Sequence, residues 1–294
     1  MKMRFNKVVR AFLAYLFAFW IIGCGTDKDN RRVVAVSIEP LRNVLENIAG
    51  DKFRIVTVMP GNDNPETFEP SPSRRIDLEK GEVCFVTGLL PFETKLMESS
   101  DVRDRFVNVS KDVDLMYGTH SHEHGSGKSK HIHTVTSADP HIWSSVKNME
   151  IIARNMSDRL CEIDPENAEA YRSNLNTYLQ RLDSIDNSFG LRLKEAGNPS
   201  FLMWHPSLTY FARDYGLEQI SVSPESKEMS VSSISRVIDK ASADSIGVMF
   251  YQREYDSRQS DIVGRSINAR MVPFSPVSYD WEAELNTIVD ELTK

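Results

Sequence analysis

Four residues with metal-binding side chains lie in predicted loops of this chain, and three of them follow predicted strands. Glu66 lies in the loop NDNPETFEPSPS after a strand that ends at Met59, and His141 lies in the segment SADPHIW. His205 directly follows the strand SFLMW, and Asp280 follows the strand ARMVPF. In open α/β sheets, ligands bind outside the carboxyl ends of the strands. Two imidazoles and two carboxylates on separate loops therefore make a candidate ligand set for a divalent metal ion.

Each of these residues also has an ordinary structural interpretation. A single histidine after a strand is commonly a hydrogen-bonded structural residue, and Glu66 is also compatible with a solvated loop acid. Asp280 directly precedes a predicted helix, which it could cap. The hypothesis of a metal site depends on the set as a whole, with two residues from each half of the chain.

The segment THSHEHGSGKSKHIH, from Thr119 to His133, is rich in histidine. It carries five of the seven histidines of the chain, namely His120, His122, His124, His131 and His133. Because it has almost no apolar residue and no periodicity, we predict a loop over 118–137. Tracts of this kind most often bind metal. Such a loop would capture zinc and hand it inward, or supply a ligand that Glu66 does not; a solvated loop without a role is the alternative.

Strands and helices alternate along the chain from Arg32. The predicted strands are RVVAVS, FRIVTVMP, VCFVTG and RFVNVS in the first half and SFLMWH, QISVS, SIGVMFY and ARMVPF in the second. This alternation predicts an α/β protein of two lobes, each a mostly parallel sheet with helices on both faces, with a metal site in the cleft between them. One long, rigid linker helix joins the lobes, because an apolar seam recurs through 166–196 at steps of four and three. The expected lobes are 32–165 and 197–294.

The first 24 residues have the pattern of an export signal. Four basic residues precede the apolar run AFLAYLFAFWII, which is short for a membrane span. The run ends in IIGC, which resembles a bacterial lipobox and implies cleavage before Cys24 and lipidation of its sulfur. Residues 25–31 would then form a polar tether. An exported lipoprotein, in the periplasm or at the cell surface, is therefore expected; a cleaved peptide with an incidental cysteine is the alternative.

The composition is that of an ordinary globular protein, with 40% hydrophobic and 26% charged residues. A net charge of −7 argues against nucleic acid as a partner, since a phosphate backbone needs a basic face. Cys84 and Cys161 do not make a disulfide framework. We expect two small residues in buried positions there, and a single bridge is the alternative.

Four segments resemble, in order, the metal-binding motifs of the zinc- and manganese-binding solute receptors of ABC importers. They are NPETFEPSPS, ADPHIW, WHPSLTYFARDYGL and SPVSYDWEAEL, and the resemblance covers essentially the whole mature chain. It implies ligand positions at His141 and His205, with Glu66 where the family usually has histidine. Asp280 lies near the acidic fourth position, where Ser275 aligns equally well. Manganese receptors usually have glutamate at the position of His205, so the resemblance is to the zinc branch.

This resemblance implies a receptor that takes Zn(II) as its transported ligand and delivers it to an ABC permease and its ATPase. The receptor would be a monomer that a lipid anchor holds to the membrane. Manganese is the alternative metal, because two imidazoles and two carboxylates form a harder ligand set. A zinc hydrolase with Glu66 as general base is a further alternative, but HExxH and comparable motifs are missing from the sequence. We therefore expect no enzyme activity; a surface adhesin or metal-storage protein of this fold remains open.

Overall fold

The computed structural model describes residues 29–61, 63–99, 101–124, 131–197, 199–223, 230–252 and 258–294. The predicted signal peptide and the lipidation site Cys24 lie outside these residues. The described residues from Arg32 to Lys294 form one compact unit. In the separate N-terminal unit, Arg31 Nη2 donates to Asp29 Oδ2 at 2.7 Å.

The N-terminal lobe is built on a four-stranded parallel sheet. Its strands are β1 (Arg32–Val36), β2 (Phe53–Thr57), β3 (Cys84–Val86) and β4 (Phe106–Asn108), in the order β2-β1-β3-β4. Its helices are α1 (Glu39–Ala49), α2 (Pro72–Glu79) and α3 (Pro91–Ser99). The chain moves from β1 to β2 in one direction and then back across β1 to β3. Because such crossovers are right-handed, α1 and α2 cover opposite faces of the sheet.

A hairpin and two long helices follow the first sheet. They are β5 (Tyr117–His124) and β6 (His131–Ala138), then α4 (Val146–Ile163) and α5 (Ala168–Glu195). The 28 residues of α5 confirm the predicted long helix between the lobes. Its buried residues include Tyr171, Leu175, Tyr178, Leu182 and Phe189. The steps of four and three keep these side chains on one face of the helix, which packs along the core.

The prediction of a loop over 118–137 was wrong for most of that segment. β5 and β6 pair in antiparallel register, with His122 opposite His133 and His124 opposite His131. The segment has almost no apolar residue, so no hydrophobic alternation marked either strand. Hydrogen bonds between the backbones of the two strands define the hairpin. Backbone hydrogen bonds do not depend on side-chain polarity.

The C-terminal lobe repeats the plan of the first. Its strands are β7 (Phe201–Met203), β8 (Gln219–Ser221), β9 (Val248–Gln252) and β10 (Arg270–Phe274), in the order β8-β7-β9-β10. Its helices are α6 (Thr209–Tyr215), α7 (Val231–Ala243), α8 (Arg258–Ser266) and α9 (Trp281–Leu292). The chain again moves from the first strand to one side and then crosses back to the other. The two predicted α/β lobes with parallel sheets are therefore confirmed.

The two cysteines outside the signal segment are free thiols. Cys84 is buried in β3, and burial raises the pKa of its thiol. Cys161 is half-buried on α4, with its Sγ 3.7 Å from the main-chain oxygen of Ala168. The bridge left open by the sequence is not formed between them. Among the described residues, no helix has the length and hydropathy needed to cross a membrane.

Candidate metal centre

Glu66, His141 and His205 come together where the two lobes meet. One ligand atom from each lies within 4.8 Å of the others. Glu66 Oε1 is 3.2 Å from His205 Nε2, and the ring centroids of the two histidines are 5.2 Å apart. Both histidines are 2% exposed, whereas the Glu66 side chain is 28% exposed. Three nitrogen and oxygen donors at this spacing can surround one divalent ion, with access from the side of Glu66.

His205 lies at the switch point of the C-terminal sheet. It comes two residues after β7, and the connections from β7 and to β9 leave this point in opposite directions, which is where ligands bind in such sheets. Gln252, at the end of β9, is fully buried beside it. Its Nε2 donates to the main-chain oxygen of His205 at 3.3 Å and to Ser207 Oγ at 2.7 Å. These bonds fix the turn that carries His205.

Glu66 is held by a short turn after β2. The Glu66 N–H donates to Asn64 Oδ1 at 2.9 Å, which is the Asx-type arrangement that stabilises tight turns. Two residues further on, the Phe68 ring packs edge-to-face on Phe92 with centroids 5.1 Å apart. This contact attaches the loop to the core of the N-terminal lobe. The carboxylate therefore reaches the cleft from an anchored loop.

The immediate partner of His141 is Asp139, which the sequence analysis did not single out. Asp139 Oδ1 accepts the His141 N–H at 2.9 Å and lies 2.8 Å from His141 Nδ1. Burial opposes a charged imidazole, but the Asp139 carboxylate prevails and raises the pKa of His141, with Glu66 acting in the same sense. Burial likewise opposes the charged carboxylate, yet its attraction and hydrogen bonds to His141 lower the pKa of Asp139.

This pairing sets the tautomer of His141. With Nδ1–H donated to Asp139, Nε2 is the nitrogen that can bind a metal, as in the carboxylate–histidine arrangement common around protein-bound zinc. The signal in the sequence was the aspartate two residues before the histidine in ADPHIW. Pro140 lies between them, and its ring fixes its own backbone angle φ.

Asp280 is separate from the other three predicted ligands. It is the exposed N-cap of α9, and its Oδ1 accepts the Ala283 N–H at 3.2 Å. Its side chain lines a surface cavity with Ser184 and Asn286, and within the described part of the chain the metal-type cluster has three members. Asp280 therefore caps α9, which is the structural alternative that the sequence offered for this residue. Ser275 lies in a buried segment that contacts Trp143, whose Nε1 donates to the Pro276 oxygen at 2.7 Å and whose ring centroid is 5.4 Å from that of His141.

The five histidines of the hairpin share one face of its backbone. His122 and His124 are opposite His133 and His131, and His120 is opposite Val135. Residues two apart on one strand, and residues directly opposite on two strands, lie on the same face of a ribbon. The register therefore groups positions that are scattered over the histidine-rich segment.

Comparisons with known proteins give consistent matches. A family model described as zinc-uptake complex component A, periplasmic, matches residues 34–292. The high-affinity zinc uptake system protein ZnuA of Bacillus subtilis is 26% identical over 255 residues, which are 84% of this chain and 79% of that protein. The manganese ABC transporter substrate-binding lipoprotein scaA of Streptococcus gordonii is 28% identical over 170 residues, 55% of this chain and 51% of that protein.

Solved structures agree with the sequence matches. A crystal structure of a ZnuA deletion mutant with bound zinc superposes with a TM-score of 0.78 at 27% identity, over 90% of this chain and 97% of that one. The family match extends over most of the chain, including both lobes and all three clustered residues. The chain therefore belongs to the family of the periplasmic zinc-uptake complex component A.

Proposed function

We propose that this protein is the extracytoplasmic receptor of a zinc importer, which captures Zn(II) and delivers it to an ABC permease and its ATPase. The observation that carries the proposal is the convergence of Glu66 and His141 from one lobe with His205 from the other. Because the ligands come from both lobes, a small displacement of one lobe against the other changes the affinity. A receptor that must hold an ion tightly and then release it needs this property.

The ligand chemistry favours zinc. Imidazole nitrogen and carboxylate oxygen are both common ligands of Zn(II), and three protein ligands leave one position of a tetrahedron for a fourth group. Water, Ser275 and a histidine of the hairpin are the candidates for that position. The Asp139 carboxylate orients His141 and makes its Nε2 more basic, which strengthens binding to a borderline-soft ion.

Manganese is the second candidate, and Glu66 is the observation that favours it. A carboxylate where the family usually has histidine makes the site harder, and hard oxygen ligands suit manganese. The similarity to a manganese-transporter lipoprotein is consistent with this alternative. His205 argues in the other direction, because the second imidazole favours zinc.

A competition titration tests the proposal. The chain from Gly25, stripped with a chelator, is titrated with zinc in the presence of excess manganese, alongside the variant His141→Ala. Tight binding at one site, insensitive to manganese and lost in the variant, is the expected result. Equal competition by manganese would reassign the cargo. Zinc binding that His141→Ala does not weaken would remove the proposed centre.

The histidine-rich hairpin is proposed as an accessory capture site. Its support is the register, which groups the positions of all five histidines on one backbone face. A segment with several imidazole ligands could hold an ion before it passes to the centre. Because imidazoles bind metal in their neutral form, this capture should weaken below about pH 6.5.

The test of the hairpin compares two variants. In one, the segment 119–133 is deleted; in the other, the five histidines are replaced by serine with the length kept. Slower zinc uptake at low zinc concentration in both, with the affinity of the centre retained, is the expected result. Unchanged uptake in both would assign no capture role to the hairpin.

Export and attachment complete the proposal. Residues 1–24 act as a lipoprotein signal with lipid on Cys24, residues 25–31 as a tether, and the protein works as a monomer in the periplasm or at the cell surface. Lobe boundaries at 165 and 197, on either side of the linker helix, belong to the same proposal. Metabolic labelling with a palmitate analogue, lost in Cys24→Ser, tests the anchor; equal labelling of the variant would remove it.

A further inference from the structure

The hydroxyl of Tyr210 contacts both ends of the histidine-rich hairpin. Tyr210 is fully buried on α6, in the C-terminal lobe. Its hydroxyl oxygen accepts the N–H of Met116, the residue before β5, at 3.2 Å. It donates to the main-chain oxygen of Asp139, the residue after β6, at 2.8 Å. The Asp139 N–H in turn donates to the Met116 oxygen at 2.8 Å. Three hydrogen bonds therefore close the base of the hairpin, and two of them are made by the Tyr210 hydroxyl.

Arg213 adds a second contact from the same face of α6. Its Nη1 donates to the main-chain oxygen of Asp114, just before the hairpin, at 2.9 Å. Its guanidinium carbon lies 5.1 Å from the centroid of the Tyr210 ring, a cation–π arrangement that holds both side chains in place. Its Nη2 donates to Asn148 Oδ1 at 3.2 Å, on the helix that follows His141. One face of a C-terminal helix therefore holds two segments of the N-terminal lobe.

The same contacts lead to the metal centre from two directions. The main-chain oxygen of Asp139 accepts a hydrogen bond from Tyr210, and its carboxylate pairs with His141. On the other side, α6 begins four residues after His205, and the turn between them is closed by the bond from Ser207 N–H to the His205 oxygen at 2.9 Å. The Tyr210 hydroxyl is thus connected to one histidine through Asp139 and to the other through a single turn of backbone.

We propose that Tyr210 is a positioning residue that couples the hairpin to the metal centre. When an ion draws His141 and His205 into fixed positions, Asp139 and α6 are fixed with them, and the base of the hairpin opens less often. By reciprocity, a hairpin held at its base favours the geometry that binds the ion. This inference rests on the proposed function, since it requires that the centre binds metal.

Two conservative variants of the same helix provide the test. Tyr210→Phe removes the hydroxyl at the hairpin base, and Tyr215→Phe removes a hydroxyl that donates instead to Asp186 Oδ1 at 2.7 Å, on α5. Each variant and the native chain are titrated with zinc chloride. Amide hydrogen exchange is then measured for peptides that cover 114–118 and 137–140, with and without zinc.

The expected result separates the two hydroxyls. Zinc slows exchange at the hairpin base about fivefold or more in the native chain and in Tyr215→Phe, the factor that one hydrogen bond supplies. In Tyr210→Phe the slowing falls below about twofold, and zinc binding weakens by no more than the roughly fivefold coupling that is lost. The same zinc-dependent slowing in Tyr210→Phe would overturn the coupling and leave the receptor function intact. No zinc binding by the native chain would overturn both.

A second variant covers the case in which Tyr210→Phe does not fold. Arg213→Lys keeps the positive charge but loses the planar group that spans Asp114 and Asn148. Because the Tyr210 ring loses the planar group stacked on it, we expect this variant to show less zinc-dependent slowing than the native chain in both peptides. Native slowing in both peptides would count against the coupling.

Discussion

Glu66 Oε1 lies 3.2 Å from His205 Nε2, although one residue follows β2 and the other follows β7. The two atoms are close enough to share one ion, and with His141 they define a site that neither lobe forms alone. Their burial is unequal, since the histidines are enclosed and the carboxylate is partly exposed. Glu66 therefore lies on the side from which an ion can reach the site.

Removing the charge of Glu66 tests whether it is a ligand. Glu66→Gln keeps the shape of the side chain but loses the carboxylate, so zinc affinity is expected to fall roughly 100-fold. A titration against a chromogenic chelator measures the change. Glu69→Gln is the matched control, because Glu69 lies in the same loop but pairs with Lys95 at 2.8 Å. Equal losses of zinc affinity in the two variants would mean that Glu66 acts only through the negative charge that it adds to the loop.

Replacing Glu66 with histidine should increase the preference for zinc over manganese. A third imidazole makes the ligand set softer, which favours zinc and disfavours a hard ion. The dissociation constant for manganese divided by that for zinc is expected to rise about tenfold or more in Glu66→His. This is a change of about 1.4 kcal/mol in selectivity. Parallel titrations with the two metals provide the ratio. An unchanged ratio would show that Glu66 does not contribute to the choice of metal.

The Asp139 carboxylate should support metal binding without contacting the metal. Asp139→Asn retains the size of the side chain but weakens its hold on Nδ1–H of His141. Loss of such a partner costs about 10- to 100-fold in metal affinity. The control is Asp158→Asn, which changes an exposed aspartate on α4. Affinity at the native level in Asp139→Asn would mean that neighbouring groups orient His141 by themselves.

A hydrogen bond between the lobes should make stability depend on pH. The Tyr279 hydroxyl donates to Glu46 Oε2 at 2.6 Å. Burial opposes the charge of Glu46, but the bonds from Tyr279 and Arg42 prevail and lower its pKa. A carboxyl whose pKa is lowered on folding stabilises the protein above its unfolded pKa of about 4.3, and this contribution is lost as pH falls through the folded pKa.

Tyr279→Phe is therefore expected to lower the free energy of unfolding by about 1 kcal/mol at pH 7 and by progressively less as the pH falls through the lowered pKa of Glu46. Urea denaturation at several pH values measures this difference. Tyr117→Phe is the control, since Tyr117 is exposed and no bond from its hydroxyl to Glu46 is formed. A difference that persists in acid would show that the ionised carboxylate is not the acceptor that matters.

The linker helix should contribute strongly to stability through its buried seam. Leu182 is fully buried in the middle of α5, so Leu182→Ala leaves a cavity and is expected to cost about 3 kcal/mol of unfolding free energy. Ser184→Ala changes an exposed position of the same helix and should stay within about 0.5 kcal/mol of the native value. The comparison uses the midpoints of urea denaturation, provided that the slope of unfolding free energy against urea concentration is the same in each variant. A loss below about 1 kcal/mol at Leu182 would mean that the seam is loosely packed.

Local sequence patterns predicted most of the architecture of this protein. Apolar runs mark β1 to β4 and β7 to β10 because parallel strands are buried on both faces. The seam of α5 was evident because its period matches a helix. The hairpin was missed because its polar residues carry no hydrophobic signal, and its backbone pairing becomes visible only in three dimensions.

For the site, the sequence by itself determined which side chains could bind a metal and placed three of the four after predicted strand ends. The tertiary structure decided which of them meet. Glu66 and His205 follow strands of the two parallel sheets and meet His141, which follows the hairpin strand β6, whereas Asp280 caps α9. The pairing of Asp139 with His141 and the contacts of Tyr210 also depend on distances between separate segments. Such distances are set by the packing of the lobes, which no local pattern of residues encodes.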